Sequence, residues 1–231
     1  MPQLIGKKFN LLFYFILFTF LSTVINKNIY DKKNFSRYKN KIEVMGLSDK
    51  NNLEVYNSLK FALSQNIFFL NKEDFLNILE ENNLIEKFNI RKIYPNLIKI
   101  QIKQADILAV TNQNGKMFYI GSNGKLIQKN KIDNPKSNLP FVYGRDNYRD
   151  FIELKKNIDT SELKFEDIES FYYFPSNRWD IKTKDGYLIK LPEKNTLQSL
   201  KYANLIKNSD KLNNKKIIDL RINNNIILSN E

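Results

Sequence analysis

The sequence predicts an α+β chain: an N-terminal transmembrane helix, a small domain of order β-α-α-β-β, and a longer antiparallel β-domain with flanking helices. Three observations carry that expectation. Residues Leu11–Ile25 (LLFYFILFTFLSTVI) hold no charge. Between residues 41 and 105, runs with strand and helix periods follow one another in the order β-α-α-β-β. Beyond residue 106, the dipeptides Asn114-Gly115, Asn123-Gly124 and Asp185-Gly186 each stand between apolar runs, where hairpin turns belong.

Residues 1–10 form a short tail before the expected span of 11–25. The apolar stretch reaches back to Phe9, giving about 17 residues, the lower limit for a helix that crosses the hydrocarbon layer. Lys7 and Lys8 precede it, so a cleavable signal peptide is the rival reading. The run ends Leu21-Ser22-Thr23-Val24-Ile25-Asn26, without the small-x-small pattern that cleavage needs, and this favours an uncleaved anchor. Residues 26–40 read as a polar stalk with Lys27, Lys32, Lys33, Arg37 and Lys39. Cations after the span weigh against export, but long domains translocate largely regardless of such charge. The expected arrangement is therefore a single membrane pass with the C-terminal domains exported.

In the domain expected over 41–105, Lys41–Gly46 alternates Ile42 and Val44 as a strand closed by Gly46. Ser48-Asp49 can cap a helix through about Leu63, with Val55, Leu59 and Leu63 on one face. A second helix begins at Asn71, with Asp74 in a capping-box position and Phe75, Ile78 and Leu79 as its stripe. Two strands follow, Glu86–Tyr94 and Leu97–Lys103, around Pro95-Asn96. Ile98, Ile100 and Ile102 face the core in the second of them.

The domain expected over 106–231 is read as an antiparallel meander. Its strands are Ile107–Thr111, Lys116–Ile120, Lys125–Gln128, Trp179–Thr183 and Tyr187–Leu191. Type I′ turns are expected at all three dipeptides. Helices are expected over Asp146–Asn157 and Thr196–Lys207. Ile217–Ile222 and, after the turn Asn223-Asn224-Asn225, Ile226–Leu228 close the domain.

Composition narrows the chemistry. The 231 residues include no Cys and no His, which removes thiolate nucleophiles, Cys-held metals and the commonest general base. The net charge of +12 raises nucleic acid as a partner, but the lysines are dispersed and no basic stretch carries interleaved aromatics. Glu73-Asp74, Glu80-Glu81 and Glu166-Asp167 are sequence neighbours that do not face each other. There is no Gly-rich phosphate loop and no S-x-x-K sequence. No catalytic residue, cofactor or metal is expected.

The β-α-α-β-β order resembles a POTRA domain, and Tyr94-Pro95-Asn96-Leu97-Ile98-Lys99-Ile100-Gln101-Ile102 resembles the strand that ends one. Downstream stand Asn123-Gly124-Lys125, Asn138-Leu139-Pro140-Phe141-Val142-Tyr143-Gly144, Arg178-Trp179 and Ile218-Asp219-Leu220-Arg221. In this order and spacing the chain resembles the FtsQ/DivIB family of bacterial cell-division proteins over nearly its whole length. It departs at Lys103-Gln104-Ala105-Asp106, where the family's proline is missing, and in its short N-terminal tail.

The resemblance implies a non-catalytic scaffold at the division septum, in the bacterial inner (cell) membrane with a cytoplasmic N-terminus and periplasmic C-terminal domains. Its partners would be FtsB- and FtsL-like bitopic proteins, upstream of the septal peptidoglycan synthase, bound by β-strand addition at the C-terminal sheet edge. Matching positions here are Arg178, Trp179, Arg221, Ile222, Asn224, Asn225, Ile226, Ile227 and Leu228. Read from the residues alone, Ile226–Leu228 could equally close the sheet, Trp179 could be core, and Arg221 could bridge a neighbouring acid. The rival function is a POTRA-containing part of an outer-membrane assembly or secretion system, which normally carries several such modules or a barrel.

Overall fold

The computed structural model describes residues 7–23, 39–144, 148–209, 212, 215–222 and 225–230. Helix α1 spans Lys7–Thr23, 17 residues, and its side chains from Leu11 to Phe18 are exposed. The expected span of 11–25 needs correcting. The helix starts earlier, taking in Lys7 and Lys8, and among the described residues no helix is long and apolar enough to cross a membrane. Val24, Ile25 and most of the expected stalk lie outside the described residues.

The first folded unit contains β1 (Lys41–Met45), α2 (Asp49–Ser58), a 3-10 turn (Lys60–Leu63), α3 (Glu73–Glu81), β2 (Ile85–Ile93) and β3 (Leu97–Gln104). The three strands form one sheet of order β1-β3-β2. β1 runs parallel to β3, and β2 runs antiparallel to it. Ile98, Ile100 and Ile102 are buried with Val55, Leu59, Phe75 and Leu79 under the two helices, as the alternation predicts. Gly46 has φ +116, and a Cβ there would collide with the Ile102 carbonyl oxygen, so only glycine fits the end of β1. The first helix is shorter than expected. It stops at Ser58, and Leu59 starts a tighter turn. Ser48 occupies its N-cap without a side-chain capping bond. At α3, half of the capping box forms: the Asn71 N–H donates to Asp74 Oδ2 at 2.6 Å.

The second unit holds a nine-stranded sheet. Its strands are β4 (Ile107–Gln113), β5 (Lys116–Gly121), β6 (Leu126–Gln128), β7 (Phe141–Tyr143), β8 (Ile168–Phe174), β9 (Arg178–Thr183), β10 (Leu188–Lys190), β11 (Ile217–Asp219) and β12 (Ile227–Ser229). Their spatial order is β12-β11-β10-β9-β8-β7-β4-β5-β6. Helices α4 (Arg149–Thr160) and α5 (Thr196–Lys207) cover one face. Phe151, Leu154, Ile158, Leu200 and Ala203 share a core there with Phe171, Trp179, Ile181, Ile189 and Ile218.

The sheet is mixed, which corrects the antiparallel expectation. The pairs β4–β7, β7–β8 and β10–β11 are parallel. Two strands, β7 and β8, were not expected. The turn expectation also holds at one of three places. Asn114 and Gly115 both have positive φ (51 and 78), as a type I′ turn demands. At the other two sites only Gly124 (φ 73) and Gly186 (φ 87) do. There Gly124 N–H donates to Gly121 O and Gly186 N–H to Thr183 O, each at 2.9 Å, the pattern of a type I turn followed by a left-handed glycine.

The two units share a small apolar junction of Leu84, Ala105, Tyr119 and Ile127. Side-chain amides stitch it: Asn123 Nδ2 donates to Asn83 O and Ile85 O at 3.0 and 2.9 Å, and Asn83 Nδ2 donates to Leu126 O at 2.7 Å. Asn51 Nδ2 donates to Lys131 O at 2.8 Å.

Candidate functional site

β12 pairs with β11 on one side only, and among the described residues no strand lies on its other side. An edge strand turns alternate N–H and C=O groups outward, where they can take another chain. The pairs Ile217–Ser229, Ile218–Leu228 and Asp219–Ile227 fix the register. Ile218 is buried, so Leu228 points to the helix-covered face and packs partly against the core. Ile227 falls on the opposite face. Apolar residues crowd this rim without cover: Ile222 is 53%, Ile226 47% and Ile227 46% exposed.

Beside the rim lies a groove of about 220 Å³ lined by Gln198, Tyr202, Leu220, Ile222, Asn225 and Ile226 among others. It lies between α5 and the β11–β12 connection. Small-molecule pockets run from ~300 Å³ upwards, so this groove suits one or two side chains better than a cofactor. Tyr202 is exposed and accepts a hydrogen bond from Gln198 Nε2 at 3.2 Å.

The helix-free face carries charge. Asp180, Lys190, Asp219 and Ile227 lie in one cross-strand row over β9, β10, β11 and β12. Arg221 binds Asp219 with its backbone N–H (3.0 Å to Oδ1) and its Nε (2.8 and 3.0 Å to the two oxygens), and Nη2 also donates to Oδ2. The hydrogen bonds from Arg221 hold the Asp219 carboxyl below its ordinary pKa, and the same pairing raises that of Arg221. Asp180 moves the other way. Burial pushes its carboxyl above the ordinary value, against the pull of Lys190, Arg221 and Arg178. Arg178 also donates to Ser176 Oγ at 2.9 Å. Both arginines therefore act on one buried carboxylate, although they stand on distant segments of the chain.

The expected residues sort themselves on this geometry. Arg178 and Arg221 converge near Asp180, while Ile222, Asn225 and Ile226 line the groove. Ile227 is exposed on the rim, and Leu228 is half-buried beneath it. Asn224 lies outside the described residues. Trp179 is 6% exposed and packs against Phe151, Phe171 and Tyr173, so it is core, three strands in from the edge. The reading of Arg221 as a bridge to a neighbouring acid is realised through Asp219. Sequence reasoning missed Asp180, Lys190 and Tyr202. The alternation Arg178, Asp180, Lys182 along β9 could have exposed the first, since all three share the helix-free face. Among the described residues no group of three acidic, His or Cys side chains could hold a metal ion.

Comparison with known proteins assigns the two units separately. Residues 39–105 match the family model "POTRA domain, FtsQ-type", and residues 109–221 match "Cell division protein FtsQ/DivIB, C-terminal". A relative named cell division protein FtsQ from Rickettsia bellii is 30% identical over 171 residues, covering 73% of this chain and 62% of its own length. The protein of the same name from Rickettsia felis is 26% identical over 230 residues, covering 94% of this chain and 84% of its own. The major extracytoplasmic domain of the cell-division protein DivIB from Geobacillus stearothermophilus aligns at 16% identity and a TM-score of 0.34, over 47% of this chain and 99% of that one; that likeness is too loose to support an inference. Two adjoining FtsQ-type matches, in the family's order and over both folded units, have one reading: the chain belongs to the FtsQ/DivIB family of cell-division proteins.

Proposed function

We propose that this protein is a non-catalytic scaffold of the division machinery that takes a strand from a small bitopic partner of the FtsB or FtsL type onto the free side of β12. The single observation that carries this reading is the uncovered outer edge of β12, flanked by three exposed isoleucines and a side-chain-sized groove. Main-chain pairing would supply affinity, and the groove would admit an apolar anchor from the partner. Arg221, just after β11, adds positive charge near the edge, suited to an acidic partner residue, with Arg178 farther back on β9. Holding such partners would place the chain upstream of septal wall synthesis.

We also propose that α1 attaches the protein to the bacterial inner membrane, with the folded units on its outer side. A run of exposed Leu, Phe and Ile on α1 marks a surface that lipid or protein covers. Alkaline extraction tests this, since the full chain should stay with the membrane fraction.

The docking reading is tested by Ile227→Pro. Proline removes a main-chain donor and resists ladder pairing. The expected result is loss of partner co-purification with circular dichroism and melting temperature retained. Unchanged co-purification would remove the edge-strand model. Arg221→Glu should weaken capture in a salt-dependent way.

A further inference from the structure

We infer that the end of the POTRA domain remote from the β-domain is a lipid-contact tip, which seats the molecule upright on the bilayer surface. This rests on the membrane attachment proposed above for α1. Phe69 is 80%, Phe68 61% and Tyr94 55% exposed, and the Phe68 and Tyr94 rings stack with centroids 4.8 Å apart and planes at 19°. Ile93 stands exposed beside Tyr94. The core of this domain is complete without them. Adjacent large apolar side chains left uncovered mark a contact surface.

Their place in the fold points to the occupant. β1 is parallel to β3, so both start at the same end of the sheet. The Lys41 N–H donates to Asn96 O at 2.7 Å, and Asn40 Nδ2 donates to Ala62 O and Gln65 O at 2.7 and 2.8 Å. The chain arriving from α1 is thus pinned between the turn that carries Tyr94 and the segment that carries Phe68 and Phe69. The other end of β3 leads through Ala105 into the β-domain. Fifteen residues, 24–38, separate the end of α1 from the first described residue of this unit. Fully extended they reach about 50 Å, so a bilayer holding α1 lies within range of the tip.

The chemistry also fits a lipid interface. Aromatic rings settle at headgroup level, and cations there attract anionic headgroups. Near the tip, Arg91, Lys92 and Lys99 occur on β2 and β3 with no acidic residue from 91 to 103. On the open sheet face, Arg91 stands directly opposite Lys99, with Glu43 of β1 on the other side of Lys99.

The chain has no Cys, so one introduced thiol labels one position. The full chain would be reconstituted in phosphatidylcholine–phosphatidylglycerol vesicles with a fluorophore at Gln65→Cys, beside the tip, or at Lys116→Cys in the β-domain. The vesicles would carry a spin label on the lipid headgroup. The expected result is several-fold stronger quenching at 65 than at 116. Phe68→Ser with Phe69→Ser should abolish that excess while the protein still floats with the vesicles. Equal quenching at the two positions, or an excess that survives the double substitution, overturns the tip contact alone and assigns the aromatic pair to a protein contact. A chain that does not float overturns the α1 attachment and the tip contact together.

Discussion

The nine-stranded sheet has two edges, and they are treated in opposite ways. The β6 edge meets the POTRA domain. Asn83 Nδ2 caps the Leu126 carbonyl, Asn123 returns two bonds to Asn83 and Ile85, and Ile127 is buried in the junction. The β12 edge has no such cover among the described residues, and its isoleucines are about half exposed. Proteins usually blunt an edge with charge, proline or a covering element. One molecule closes one edge and leaves an apolar rim at the other, and the docking proposal rests on that difference.

Five variants break or sharpen that contrast, taken from the largest expected effect on stability downwards. Trp179→Ala removes core in the middle of the sheet and should cost about 3–5 kcal/mol in urea denaturation. A change below about 1 kcal/mol would place Trp179 at an interface instead. Asn123→Ala strips the closed edge of two donors to carbonyls at the junction and should cost about 1–3 kcal/mol, read from the same experiment. Ile226→Ser with Ile227→Ser should leave stability within about 0.5 kcal/mol yet abolish partner retention. Large destabilisation there would mean the rim is structural.

Asp180→Asn has the smallest effect, and its sign depends on pH. Burial raises the folded-state pKa of Asp180 above its unfolded value, with Lys190, Arg221 and Arg178 opposing. The ionised carboxylate therefore disfavours the fold above the unfolded pKa, fully so once pH exceeds the raised one. The variant should melt higher than the wild type at neutral pH, and the difference should shrink as pH falls towards the ordinary carboxylate range. Asp219 behaves oppositely. Its depressed pKa contributes stability above the unfolded value that is lost as pH falls through the folded one, and Arg221→Ala should remove that contribution.

Much of this was legible in the sequence because it is local. Ile98, Ile100 and Ile102 alternate, and α5 begins and ends where its periodicity says. The β4–β5 hairpin turns at Asn114-Gly115. Parallel pairing has no local signature, so β7, three residues long, and its partner β8 were missed. The hydropathy of β8 also fails to alternate: Phe171 and Tyr173 pack against Trp179 on the helix face, while Tyr172 stacks on Tyr143 at 5.0 Å on the other. The rim residues Arg221 and Ile226–Leu228 were placed by family resemblance. Asp180 and Tyr202 reach the site through β9 and α5, and only the tertiary fold unites them.

The parallel pairing of β10 with β11 sets a timetable for the molecule. Strands in register and parallel need a crossover, here through α5, so β11 and then β12 join the sheet from its far side after every other described strand has left the ribosome. Domains tend to form in the order they are made. A nascent chain could complete its POTRA domain and seven strands of the sheet while still offering nothing to a partner. The proposed docking surface would form only after those seven strands, so that recruitment itself reports that synthesis has passed β12.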